Sequence, residues 1–173
     1  NPFASDNDDK TLGEVYARGF RNPNRVAWTP EGKMLVSDIG LNSIEELNLI
    51  QAGSDYGWPQ REGTFFLNNK GKMNKVYALQ PDESNFNFVY PIAQFDHDEG
   101  NAISGGYVYE GNIGTLKNKY IFGDVATGRV FHIENEAIAS GKPAEILEFD
   151  LLFKGVPSTF RDITASRRAD LRF

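Results

Sequence analysis

Apolar and polar positions alternate along this chain in short runs, and almost every run ends at a turn-forming residue. Runs of three to eight residues at close spacing, rich in Val, Ile, Phe and Tyr, predict short strands rather than helices. The pattern predicts strands at residues 15–20, 25–29, 33–38 and 44–50. Pro30-Glu31-Gly32 closes the second, and Gly40-Leu41-Asn42-Ser43 turns the chain between the last two. Strands resume at 88–95, 102–109, 119–125 and 129–134, with further ones at 146–153 and 159–166. Residues 137–142 read as one helical turn or a loop. Residues 53–87 break the rhythm. They carry Tyr56-Gly57-Trp58-Pro59, Gly63-Thr64-Phe65-Phe66 and a polar stretch with Lys70, Lys72 and Lys75. They predict a long excursion from the sheet, of the kind that is usually functional or mobile.

The pattern also repeats. Met34-Leu35-Val36-Ser37-Asp38 turns at Gly40 and returns through residues 44–49, and Tyr120-Ile121-Phe122-Gly123-Asp124 turns at Thr127-Gly128 and returns through 130–133. Each half is strand, Asp, turn, strand, preceded by one more strand. Small antiparallel sheets used repeatedly are the building unit of a β-propeller. Asp38 and Asp124 hold equivalent places, where an acid fixes a turn by bonding backbone N–H groups. The expected fold class is all-β, with residues 1–173 forming one partial propeller domain. The opening residues lack a leader pattern and residues 170–173 read as mid-strand, so the expectation is a fragment.

Composition narrows the function classes. The 173 residues include 13 Phe, seven Tyr, 17 Gly and eight Pro, which suits a turn-rich β fold. The net charge of -6 argues against a phosphate-tracking surface, so no nucleic-acid partner is expected. No apolar run is long enough to predict a membrane span. The absence of Cys excludes thiolate chemistry, and two His cannot make a three-His metal site.

Gly19-Phe20-Arg21-Asn22-Pro23-Asn24, Val36-Ser37-Asp38-Ile39-Gly40-Leu41-Asn42-Ser43, Glu45-Glu46-Leu47-Asn48-Leu49-Ile50 and Tyr56-Gly57-Trp58-Pro59 together resemble the glucose/sorbosone dehydrogenase family. Phe95-Asp96-His97-Asp98-Glu99-Gly100 and Ile103-Ser104-Gly105-Gly106-Tyr107-Val108-Tyr109 resemble its later part. The resemblance implies a six-bladed β-propeller, of which this chain covers about half. It implies pyrroloquinoline quinone (PQQ) and Ca²⁺ as cofactors, an aldose as substrate and an external electron acceptor. Arg21 and Asn22 match the cofactor-contacting pair. Gly40 and Leu41 match a turn whose carbonyls hold a calcium ion. Glu46 and the carbonyl of Tyr56 match a second calcium site. The family's catalytic base is a His from an earlier blade, matched by neither His97 nor His132, so no catalytic residue is expected here and the fragment alone is expected to be inactive.

Each of these positions has a plainer reading. Arg21 equally caps a turn or bridges to Asp38, the 40–41 turn equally closes an ordinary hairpin, and Glu46 equally stands exposed on a strand. Asp96, His97, Asp98 and Glu99 match no metal spacing and read as a polar strand end at a pocket rim. One departure stands out: Ala126 occupies the place of a cofactor-holding Lys, and Arg129, three residues on, is the only nearby substitute. Two functions therefore remain. One is a part of a PQQ-dependent aldose dehydrogenase that oxidises the anomeric carbon to a lactone, in the periplasm or outside the cell. The other is a non-catalytic propeller binding module of the same family. Open blade faces predict association with missing blades or with a second copy.

Overall fold

The fold is built from two copies of one four-stranded antiparallel unit. The structure, a computed structural model, describes residues 2–5, 10, 12–82, 85–140, 142–169 and 171. The first unit comprises β1 (Pro23–Trp28), β2 (Met34–Asp38), β3 (Ile44–Leu49) and β7 (Ala93–Asp96), hydrogen-bonded in the order β1-β2-β3-β7. The second comprises β8 (Ile103–Val108), β9 (Lys119–Asp124), β10 (Val130–Glu134) and β11 (Leu147–Glu148), in the order β8-β9-β10-β11. The registers match as well: Pro23 pairs with Asp38 in the first unit, and Ile103 with Asp124 in the second. The expected all-β partial propeller is thus two consecutive blades, with β1 and β8 lying side by side.

Alternation on the pleat decides what faces the junction. Leu35, Leu47, Ala93 and Phe95 of the first blade bury against Ile103, Tyr120, Phe122, Phe131 and Ile133 of the second. Three phenylalanines pack at the centre, with Phe95–Phe131 at 5.4 Å and Phe122–Phe131 at 5.7 Å between ring centroids. Burying each such side chain contributes roughly 1.5–3 kcal/mol. Helix α1 (Asn135–Ser140) adds Ile138 to this core.

Within the 53–87 segment, β4 (Arg61–Glu62), β5 (Phe65–Leu67) and β6 (Val76–Tyr77) form a three-stranded sheet. Buried Arg61 anchors it, with its guanidinium 5.6, 5.0 and 5.1 Å from the rings of Phe66, Phe86 and Phe88.

Several predicted strands take other forms. Residues 15–20 join no named strand; an isolated bridge links Arg18 to Asp55, and Tyr16, Arg18 and Gly19 exchange backbone bonds with residues 53–58. Gly19 has φ +83°, and a Cβ there would lie 2.6–2.7 Å from the backbone nitrogens of Gly57 and Tyr56. The chains approach too closely for a regular ladder of side chains. Residues 88–92 precede β7 and stay outside the strand. Residues 146–153 divide into β11 and β12 (Leu152–Phe153), and β12 turns through Lys154 and Gly155, both at positive φ, into β13 (Val156–Pro157). Residues 160–164 are helix α2 (Phe160–Thr164), not strand. Its cause is a reciprocal cap: Thr159 accepts from the Asp162 N–H while Asp162 accepts from the Thr159 N–H. The strand expected at 170–173 lies outside the described residues apart from Leu171.

Candidate functional site

The turns after β2 and β9 lie at the same end of their blades, because both follow the aspartate that closes the β1–β2 or β8–β9 ladder. Asp38 accepts the backbone N–H groups of Arg21 and Asn22 at 2.9 and 2.6 Å. Asp124 accepts those of Asn101 and Ala102 at 2.7 and 2.5 Å, and of Thr127 at 2.6 Å. The backbone follows suit: Ile39 N–H donates to Asn22, and Val125 N–H to Ala102. The turn-fixing role expected of both acids is therefore a repeated hydrogen-bond unit. Burial pushes the Asp38 carboxyl up, and the two N–H bonds and the Arg21 charge oppose that shift.

This unit places Arg21. Its Nη1 donates to the carbonyls of Ile39 and Gly40 at 3.1 and 2.7 Å, and its guanidinium lies 6.0 Å from the Trp58 ring. Arg21, Asn22 and Gly40 therefore converge around Asp38 in one cradle at the blade end. The Gly40–Ser43 turn is held from its other side by a residue that sequence reasoning passed over. Oε1 of Glu62, on β4, accepts the backbone N–H groups of Leu41, Asn42, Ser43 and Ile44 at 2.8–3.1 Å. Glu62 is 1% exposed, and its Oε2 has no partner among the described residues. Gly40 itself is obligatory, because a Cβ there would sit 1.8 Å from the Ile44 carbonyl oxygen.

Glu46, on β3, is buried rather than exposed. Its Oε1 accepts the Gly63 N–H at 2.5 Å, and its Oε2 accepts the Asn48 amide at 3.0 Å. Burial pushes its carboxyl up to about 7, and the nearby Asp38 and Glu62 charges push the same way. Tyr56 packs on Phe20 at 4.6 Å, donates its hydroxyl to the Leu49 carbonyl and accepts the Gln51 N–H. The side-chain bonds of Glu46 and Tyr56 thus run to different partners. No group of three or more His, Asp or Glu positioned to hold a metal ion occurs among the described residues.

The remaining candidates have structural partners. His97 Nε2 meets Oε1 of fully buried Glu45 at 3.1 Å, while Glu45 Oε2 accepts the Ile103 N–H at 2.9 Å, tying the connection between blades to β3. Burial raises the Glu45 carboxyl. His132 packs on Phe149 at 4.4 Å, and burial lowers its pKa. Arg129 does not stand in for the Lys replaced by Ala126. Its Nε and Nη2 grip the Glu148 carboxylate at 2.8 and 2.5 Å and its Nη1 donates to the Glu99 carbonyl, which holds it toward the outer strands. A signal for Glu62 did exist: it follows Trp58-Pro59 and precedes Gly63, a Glu among turn residues rather than on a solvated strand face.

Comparison with known proteins bears on this arrangement. The chain matches the family described as Glucose / Sorbosone dehydrogenase over residues 1–167, and it belongs to that family. It is 48% identical over 73 residues, 42% of its length, to quinoprotein glucose dehydrogenase B of Acinetobacter calcoaceticus. It is 28% identical over 134 residues, 72% of its length, to the HIPL2 protein of Arabidopsis thaliana. The chain spans only 15% and 18% of those two proteins. Among solved structures, the PQQ-bound aldose sugar dehydrogenase of Streptomyces coelicolor superposes with a TM-score of 0.55 at 25% identity, covering 78% of this chain and 32% of that one. The soluble aldose sugar dehydrogenase of Escherichia coli superposes at 0.59 with 20% identity, covering 82% and 38%, a likeness of fold.

Proposed function

We propose that this chain, as a member of the glucose/sorbosone dehydrogenase family, supplies the cofactor cradle of a PQQ-dependent aldose dehydrogenase that oxidises the anomeric carbon to a lactone. The observation that carries the reading is the Arg21–Asp38–Gly40 cradle, a guanidinium held at a glycine turn next to the aspartate that fixes its backbone. PQQ carries three carboxylates, and Arg21 uses Nη1 for the two carbonyls, which leaves its Nε and Nη2 donors to pair with a carboxylate. Asn22, whose backbone N–H is fixed by the same Asp38, is the second proposed cofactor contact. When bound, PQQ supplies an ortho-quinone that accepts the hydride from the anomeric carbon while the sugar's hydroxyl proton passes to a base. The base in this proposal is a His outside this chain.

Calcium belongs to the same reading. The carbonyls of Gly40 and Leu41 are hard oxygen donors, and Glu46 with the Tyr56 carbonyl forms the second proposed set. The donor chemistry fits a cation. Oε2 of Glu62 and Oδ1 of Asn48 are buried acceptors without partners among the described residues, and the Asp38 and Glu62 charges add to the burial that raises the Glu46 pKa. The electron acceptor is external, and the proposed compartment is the periplasm or the cell exterior. No helix of the described residues is long and apolar enough to cross a membrane. Residues 1–173, with the 53–87 segment, are taken as one partial propeller domain that associates with further blades.

A second reading is a non-catalytic binding module. It is favoured by Ala126 together with the engagement of Arg129 by Glu148, which leave one cation fewer for a tricarboxylate. One experiment separates the two. The full-length protein, loaded with PQQ and Ca²⁺, is assayed for dye reduction across a panel of aldoses with lactone detected as product. Turnover supports the dehydrogenase; PQQ-independent binding without turnover supports the module.

A further inference from the structure

One of the oxygens assigned to calcium already carries a cation. The Gly40 carbonyl accepts Arg21 Nη1 at 2.7 Å, and the same nitrogen reaches the Ile39 carbonyl at 3.1 Å. The turn is built to present such oxygens. In a trans peptide the N–H and the C=O point in opposite directions. Glu62 Oε1 gathers the N–H groups of Leu41 and Asn42 at 2.8 and 3.1 Å, so the carbonyls sharing those peptides, of Gly40 and Leu41, point away from Glu62. Arg21 stands on that outward side. No carboxylate cancels its charge there. Arg18, Lys119 and Arg129 each pair with an acid, but among the described residues Arg21 forms no ion pair. Asp38 gives one oxygen to the Arg21 N–H and the other to the Asn22 N–H, not to the guanidinium. Arg21 is half-buried, which reduces screening of its charge by water.

Two cations cannot share this place on equal terms. Calcium sits ~2.3–2.6 Å from a carbonyl oxygen, so an ion on the Gly40 carbonyl would lie within about 5 Å of Nη1. A guanidinium cannot yield by losing its proton. Even at the dielectric constant of water, a double and a single positive charge at that separation cost about tenfold in affinity, and more in a half-buried site. An anion relieves the conflict. Nε and Nη2 of Arg21 make no hydrogen bond among the described residues, and a carboxylate fits them as a pair. A PQQ carboxylate there cancels the charge without taking Nη1 from the carbonyls. We propose that Arg21 is a resident cation that makes Ca²⁺ binding at the Gly40–Leu41 turn conditional on PQQ: alone it excludes the metal, and with a cofactor carboxylate on Nε and Nη2 it admits it. This control rests on the PQQ and calcium assignments of the proposed function and adds an order to them, PQQ first and Ca²⁺ second. By linkage, Ca²⁺ then tightens PQQ by the same factor that PQQ tightens Ca²⁺.

Terbium(III) stands in for Ca²⁺ and luminesces when a nearby tryptophan is excited; Trp58, 6.0 Å from the Arg21 guanidinium, is the antenna. The full-length, PQQ-free protein is titrated in a Glu46→Gln background, which silences the second proposed calcium set, and the signal lost in Trp58→Phe is the turn's own. Arg21→Gln keeps an amide donor but no charge. It should bind terbium, and Ca²⁺ in competition, about tenfold or more tightly than the protein with Arg21. Arg21→Lys keeps the charge and should stay close to wild type. Misfolding cannot imitate a gain in affinity. Calorimetric Ca²⁺ titrations with and without saturating PQQ then read the coupling. Any direct contact of PQQ with the metal helps both proteins, so the coupling should be about tenfold larger with Arg21 than with Gln in its place. Metal bound no tighter by Arg21→Gln, an equal gain in Arg21→Lys, or an unchanged coupling would each overturn the exclusion by Arg21 and leave the calcium assignment standing. No terbium or Ca²⁺ at the turn in any of these proteins, with PQQ or without, would remove the calcium assignment and the exclusion with it.

Discussion

Replacing Glu62 tests whether the cradle's turn is held by geometry or by charge. One carboxylate oxygen gathers four consecutive backbone N–H groups, of which that of Ile44 is buried and those of Leu41, Asn42 and Ser43 are partly so. Glu62→Ala removes the acceptor from all four. An unsatisfied buried N–H costs about 1–3 kcal/mol, and partly buried ones recover some of that from water, so the expected loss is roughly 3–5 kcal/mol. Glu62→Gln keeps an oxygen at Oε1 but puts an amide N–H where Oε2 has no partner, so its expected loss is about 1–2 kcal/mol. Urea denaturation of the metal-free protein reads the difference. With an m-value near 2 kcal/mol/M, Glu62→Ala should lower the midpoint by roughly 1.5–2.5 M and Glu62→Gln by roughly 0.5–1 M. If the two variants fall together, the negative charge rather than the oxygen's position holds the turn, and a cradle fixed by oxygen placement is refuted.

Three further outcomes follow from the same geometry. Arg21→Ala should weaken PQQ binding by about ten- to a hundredfold, the equivalent of one charge-assisted contact, in an absorbance titration; unchanged affinity would remove Arg21 from the cofactor site. The Glu46 carboxyl titrates at about 7 when folded and at its ordinary 4.5 when unfolded, so the native state binds its proton more tightly. In EDTA its contribution is therefore full below pH 4.5 and is lost as pH rises through about 7, a fall of roughly 3 kcal/mol. Glu46→Gln should flatten that slope, and a wild-type slope in the variant would contradict the assignment. Asp124→Asn must leave at least one of three backbone N–H groups short of its carboxylate acceptor and should lose about 1–3 kcal/mol in thermal or chemical unfolding; a neutral result would mean that water satisfies them.

Much of the fold was legible in the residues because period-two alternation and turn chemistry are local. The pattern around Met34–Asp38 and Lys119–Asp124 placed both central strands, and the paired aspartates marked equivalent turns, since a carboxylate beside a turn bonds its neighbours' N–H groups wherever it occurs. The capped helix at Phe160–Thr164 was legible too, in Thr159 and Asp162, but the apolar residues around it read as strand. What the sequence could not determine is where each long side chain ends. Glu45 and Glu46 are neighbours on β3 and point to opposite faces, one to His97 and the Ile103 N–H, the other to Gly63 and Asn48. Arg129 looked like a spare cation and is bound to Glu148, 19 residues away, through strand pairing that brings β10 beside β11. Glu62 reached the cradle only because the 53–87 segment folds back over the blade end. Strands and turns follow from contacts a few residues apart, whereas partners for buried charge are chosen by burial itself, which makes each one satisfy whatever distant donor the packed blades bring within reach.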